Sequence, residues 1–298
     1  MMMHLVTFGA WAQRLGLRAR GFRPRVVHSA VGPVHLLEHR AGQGPTLVVI
    51  HGIGADLTHF SRVLTALRAL GGVVIAPDLP GHGASPPPSG GAGGLRTGAL
   101  EALAEVIQEP AIVFGNSLGG LVAIRFALAY PEKVRGLILS SPGGAPMEEA
   151  ALRGLLSQFR MDAPEKARAF VLRLYAKRHW FTPLAAPFVR ASFARPFMER
   201  ILDEATVEEL VTAEEIASIA APLLFLWGGQ DKVLLPENRD FFLRALPSHA
   251  VVKEPPHFGH CPNVEHPREL IAEIASFTRA VVEGRAPAGH RSVDRPRP

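Results

Sequence analysis

VFGNSLGGLVA, residues 113–123, sets Ser117 among three glycines where an apolar run gives way to a helix-like one. Glycine costs about 1 kcal/mol relative to alanine inside a helix. Gly115, Gly119 and Gly120 at the opening of one therefore imply a backbone that side chains would obstruct. The five residues from Gly115 to Gly119 fit G-x-S-x-G, a pattern that carries meaning when a strand precedes it and a helix follows. Such a turn strains the serine backbone and pushes the hydroxyl clear of a sheet. Side chains two positions away on either side would clash. A helix N-terminus behind the serine adds a field that favours negative charge.

Outward from this stretch, strand-like and helix-like segments alternate. RVVHSA and VHLLEHR flank VGP, the pattern of a hairpin. Apolar runs follow at 46–50, 72–77, 111–115, 134–140, 222–228 and 249–254, with helical patterns near 58–70, 98–108, 118–130, 236–246 and 266–284. Continuous apolar strands alternating with helices predict an α/β fold whose mostly parallel, eight-stranded sheet is covered on both faces. The alternation lapses between SSPGG (140–144) and Pro222. There the spacing predicts helices, with capping residues at Asp162 and Glu165, Thr206 and Glu209, and Thr212 and Glu215. The organisation expected is a basic, amphipathic segment at 1–24, a core made of 25–144 and 222–283, a helical insertion at 145–221, and a disordered tail at 284–298. Residues 84–98, rich in Pro, Gly and Ser, read as a mobile loop.

Hydrophobic residues make up 47% of the 298 and charged ones 20%, as in a soluble globular protein. The net charge of +5 lies in the ends. Residues 1–37 hold five arginines and no acid, and 285–298 hold four arginines and one aspartate, so the body between is mildly acidic. That distribution argues against nucleic-acid binding. The lone cysteine, Cys261, permits no intrachain disulfide and fits a reducing, cytoplasmic compartment. No apolar run reaches the roughly 20 residues of a transmembrane helix, and the N-terminus lacks a secretory pattern. Phe8, Trp11, Ala12 and Leu15 could line one helix face, to be packed on the core or laid on a membrane surface. The 13 histidines show no zinc-site spacing, and no Walker or dinucleotide fingerprint is present, so neither metal nor organic cofactor is expected.

A serine needs a base to take its proton and an acid to orient that base. Both occur downstream, in the order Ser, Asp, His. LLFLWGGQD ends a strand at Asp231, and HFGHCPNVEHP places His260 on a loop before the last helix. VVIHGIGAD follows another strand, where the backbone N–H of Ile53, with that of Leu118, could receive a developing oxyanion. All fall at C-terminal ends of predicted parallel strands, where open α/β sheets bind ligands.

HGIG, DLPGHGAS (78–85), GNSLGG, GGQD and GHCPNVEHP, in this order over residues 25 to 282, resemble the α/β-hydrolase superfamily. The resemblance implies the α/β-hydrolase fold with a helical cap at 145–221. It also implies a catalytic triad of Ser117, Asp231 and His260 and hydrolysis through an acyl-enzyme. His257 and Asp240 are weaker competitors for base and acid. Asp78, His82 and His51 read as structural residues of their loops, Cys261 as a small filler and Glu265 as a loop anchor. Substrate contacts are expected from Gly52 and Asn116 beside the nucleophile and from Phe159, Trp180 and Phe181 of the insertion. A serine nucleophile favours a small-molecule ester or related carbonyl substrate. Asn116 also makes GNSLGG similar to the meta-cleavage C–C hydrolases, and a non-catalytic ligand-binding homologue is a third reading. The sequence leaves the oligomeric state open.

Overall fold

The computed structural model describes residues 2–285, with side chains from residue 9 onward. Eight strands form one sheet: β1 (Arg23–Ser29), β2 (Gly32–Arg40), β3 (Thr46–Ile50), β4 (Val73–Pro77), β5 (Ala111–Asn116), β6 (Val134–Ser140), β7 (Leu223–Leu226) and β8 (Val251–Lys253). Their spatial order is β1-β2-β4-β3-β5-β6-β7-β8. The β1–β2 hairpin and the β2–β4 pairing are antiparallel, and every later pairing is parallel. This is the α/β-hydrolase fold expected above.

The pleat explains why the parallel runs are continuously apolar. Val48 and Ile50 of β3 enter one buried cluster with Val113, Phe126 and Leu139, while Leu47 and Val49 enter another with Phe114, Ile138 and Leu224. Successive side chains point to opposite faces, and helices cover both. The helices are α1 (Met2–Ala19), α2 (Ser61–Leu67), α3 (Gly91–Val106), α4 (Leu118–Ala129), α5 (Glu149–Ser157), α6 (Pro164–Leu174), α7 (Thr182–Phe193), α8 (Pro196–Glu204), α9 (Ala213–Ala217), α10 (Pro236–Ala245), α11 (Pro262–Glu265) and α12 (Pro267–Val282). Helices α5 to α9 stand between β6 and β7.

Four local expectations are corrected. The loop expected over 84–98 ends early, because α3 already begins at Gly91. Its glycines answer to contact. A Cβ on Gly98 would come within 2.9 Å of Val31, and Glu204 of α8 accepts the Ala92 N–H at 2.8 Å. Tertiary docking thus overrides weak helix propensity. Helix α6 starts with Ala163 as its cap and Pro164 in its first turn, while the Asp162 carboxylate takes Lys166 instead. No side-chain bond from Thr206 caps the turn after it, whereas Thr212 and Glu215 do form a reciprocal cap. On α1, Leu17 is buried, whereas Trp11, Ala12 and Leu15 are exposed, so the apolar face foreseen there is not the packed one. The Phe8 side chain and the tail from residue 286 lie outside the described residues.

Candidate active site

Ser117 lies between β5 and α4 with φ 56° and ψ −121°, a region that L-residues adopt only under constraint. The constraint is visible in the glycines. A Cβ on Gly119 would meet the Ile50 carbonyl oxygen at 2.3 Å, and one on Gly115 would meet the Gly119 carbonyl oxygen at 2.2 Å. Helix α4 therefore starts in contact with the end of β3, which only bare backbone allows. The Ser117 N–H is held by Ser140 O at 3.1 Å, and Ser117 O accepts from Gly120, Leu121 and Gly143. The elbow is thus tied to its own helix and to the neighbouring strand.

His260 reaches the same end of the sheet on the loop after β8. Its Nδ1 bonds Asp231 Oδ2 at 2.7 Å, with the Asp231 side chain fully buried and that of His260 nearly so. The other carboxylate oxygen accepts the N–H groups of Val233 at 2.8 Å and Leu234 at 3.1 Å. Burial alone would push the Asp231 carboxyl up. The charge and hydrogen bond of His260 and the two backbone N–H groups outweigh it, and its pKa falls below the ordinary carboxylate value. An ionised carboxylate that accepts from Nδ1 leaves the Nε2 lone pair free to act as a base.

Ser117 and His260 border one cavity of about 100 Å³, walled by Phe159, Phe170, Val189 and Phe193. A second cavity, of about 170 Å³, starts at Ser117, Ile53 and Leu118 and runs between Leu121, Val122, Leu152 and Leu156. Phe159 lines both. The Ile53 N–H donates to no acceptor among the described residues, and Leu118 opens α4, where an N–H has no intrahelical partner. The Ser117 hydroxyl makes no hydrogen bond among the described residues, so its proton is not committed elsewhere.

Gly52 stands against Ser117, since a Cβ there would come within 3.2 Å of Ser117 Cβ. Asn116 borders the cavity too, but its amide donates to Ser140 O at 3.0 Å and to His260 O at 3.2 Å. It pins the elbow to the histidine loop, a role no sequence pattern announces. Two expected substrate contacts are displaced. Phe181 lines an outer groove and stacks on His179, and Trp180, 84% exposed, borders neither cavity at Ser117.

The remaining polar residues brace the site. Asp78 is fully buried and accepts from Leu57 N–H, Ala84 N–H and Arg14. Glu265 accepts the Ala176 N–H at 2.9 Å and bonds His179 at 2.7 Å, linking the histidine loop to the helical insertion. His257 pairs with Glu269 and Asp240 with Arg239, away from the cavity. Burial and the nearby Asp231 and Glu265 charges push the Cys261 thiol up, which keeps it protonated.

His51 donates from Nδ1 to Gly52 O at 2.8 Å and accepts the Leu79 N–H on Nε2 at 3.0 Å. Nε2 cannot do that and also carry a proton, and burial lowers the pKa from 6.5 to about 4. As pH falls, the unfolded chain takes up this proton first. The stability that His51 secures is therefore complete above pH 6.5 and declines until about pH 4. About 2 kcal/mol should go between pH 6.5 and 5, at 1.36 kcal/mol per pH unit. Urea unfolding of the wild type and His51→Gln across this range should show a slope about one proton smaller in the variant.

A family model described as the alpha/beta hydrolase family matches residues 47–274. The chain is 31% identical to Lipase 1 of Psychrobacter immobilis, over 80% of this chain and 78% of that protein. It is 31% identical to the pimeloyl-[acyl-carrier protein] methyl ester esterase of Shewanella oneidensis, over 83% of this chain and 95% of that one. Among solved structures, a membrane phospholipase A described as a bacterial virulence factor superposes with a TM-score of 0.75, at 27% identity over 94% of this chain and 92% of that one.

Proposed function

We propose that this chain, which belongs to the alpha/beta hydrolase family, cleaves carboxylic esters of small to medium apolar acids through an acyl-enzyme on Ser117. It is an ester-hydrolysing member of the family, as its lipase and esterase relatives indicate. The observation that carries the finer reading is the buried Asp231–His260 pair at 2.7 Å beside a cavity that also holds the strained Ser117.

In this reading His260 Nε2 takes the Ser117 proton as Oγ attacks the ester carbonyl. The N–H groups of Ile53 and Leu118 receive the oxyanion. Collapse expels the alkoxide, which His260 protonates, and the acyl group stays on Oγ. Water, deprotonated by the same imidazole, then releases the acid and restores Ser117. Asp231 holds the imidazole with Nε2 toward the serine and stabilises its cation. The apolar 170 Å³ cavity suits the acyl chain, and the smaller one on the His260 side suits the leaving alcohol. Residues 145–221 act as the cap that supplies Phe159 to both. Lone Cys261 supports a reducing, cytoplasmic setting.

Esters are favoured over the C–C bonds of dienoates because the lipase and methyl ester esterase relatives at 31% identity are named for ester cleavage. A p-nitrophenyl ester series tests this. We expect kcat/KM to peak at acyl chains of about four to eight carbons and to fall at least about tenfold by palmitate. Faster cleavage of a meta-cleavage dienoate than of any ester would reverse the assignment.

A further inference from the structure

Exposed apolar side chains are not scattered over this molecule. Five of the nine large ones among the described residues, Trp11, Leu15, Trp180, Leu184 and Phe188, lie on α1 and on the stretch 180–188 that leads into and along α7. Helices α1 and α7 pack against each other, and an open groove of about 670 Å³ runs between them, lined by Trp11, Ala185 and Phe188. The groove shares Gly54, Tyr175 and Val189 with the cavity at Ser117, so it is that cavity's approach from solvent.

The charge on the same two segments is one-sided. Residues 1–37 and 176–195 contain no Asp or Glu. Arg18, Lys177, Arg178 and Arg195 are exposed and form no ion pair among the described residues, as does Arg62 on the groove wall. Elsewhere acids outnumber bases, so the cations gather where the apolar side chains protrude.

We propose that the face formed by α1 and residues 177–188 docks on an anionic phospholipid bilayer, with the groove mouth against the lipid. Trp180 and Leu184 enter the interfacial layer, where indole and aliphatic groups are stable, and the cations meet lipid phosphates. An acidic protein surface would also attract the cations. It would give no reason for the outermost groups to be Trp180 and Leu184, at 84% and 60% exposure. The docking stands on this surface chemistry alone. Joined to the ester reading, it names the substrates as membrane-borne amphiphiles whose scissile acyl group is short enough for the 170 Å³ cavity and which enter by the groove.

The test uses the full chain carrying Ser117→Ala, so that binding is read without hydrolysis. It is sedimented with phosphatidylcholine vesicles with and without about 30% phosphatidylglycerol. We expect at least about tenfold stronger partition onto the anionic vesicles. Tryptophan emission should shift to the blue, reporting Trp11 and Trp180, since Trp227 is already buried. Trp180→Ser with Leu184→Ser, residues that line no cavity at Ser117, should weaken partition about tenfold while p-nitrophenyl butyrate turnover in the Ser117 chain stays unchanged. Lys177→Glu with Arg178→Glu should remove the preference for anionic lipid. Failure of the wild-type surface to bind anionic vesicles would overturn the proposal. So would salt-sensitive binding indifferent to the apolar pair, which would point to an acidic protein partner. Vesicle binding without any esterase activity in the Ser117 chain would leave the docking intact and refute the ester reading alone.

Discussion

Ser117→Ala is expected to lower kcat on p-nitrophenyl butyrate by at least about 10⁴-fold, the scale seen when an acyl-transfer nucleophile is removed. The fold should be untouched, because the hydroxyl makes no hydrogen bond among the described residues and the elbow is held through the Ser117 backbone. Ser117→Gly separates the two roles of this position further. It removes the proposed nucleophile and also relieves a φ of 56° that glycine adopts without cost. The glycine variant should therefore be equally inactive yet more stable by about 1 kcal/mol. Turnover, fluorophosphonate labelling and urea unfolding read all three outcomes. Activity within tenfold of wild type in Ser117→Ala would remove this serine from the chemistry.

Asp231→Asn should cost nearly as much, about 10⁴-fold in kcat, for a different reason. The amide keeps the shape, and its oxygen can still accept from Val233 and Leu234. Its NH₂ would then face His260 Nδ1 and force the imidazole proton onto Nε2, where no lone pair remains for Ser117. The carboxylate also links stability to pH. Its folded pKa lies below the ordinary value, so the unfolded chain binds the proton more readily. The stabilisation from Asp231 is full above about pH 4 and is lost as pH falls through the folded pKa. Urea unfolding at pH 7 and pH 3 should show the wild type losing this increment while Asp231→Asn does not. A variant retaining wild-type kcat would exclude Asp231 as the orienting acid.

The parts of this structure legible in the sequence are those set by short-range constraints. The succession of strands along the chain follows from short apolar runs, and the elbow follows from three glycines whose absent side chains would strike neighbouring backbone. What escaped reading depends on contacts between distant segments. Gly91 to Gly98 read as loop because helix propensity is counted locally, whereas the space beside Val31 and Glu204 is made by other elements. Trp180 read as pocket-lining because aromatics in a helical insertion are commonly buried, and only packing shows that it projects outward just before α7. Asn116 looked like a substrate contact, and its bonds to Ser140 O and His260 O become visible only once the ends of β5 and β6 meet the loop that follows β8.

The double grip of Glu265 bears on how molecules pass in and out. One carboxylate, almost wholly buried, fastens the segment at Ala176 and His179 to the loop that carries the imidazole. Were the helices above the sheet to swing away as a door, they would pull that loop along and disarm the chemistry at the moment of entry. Under the proposed function the covering is therefore better held as a fixed roof than as a hinged one, and the side passage beneath its eaves is the open route.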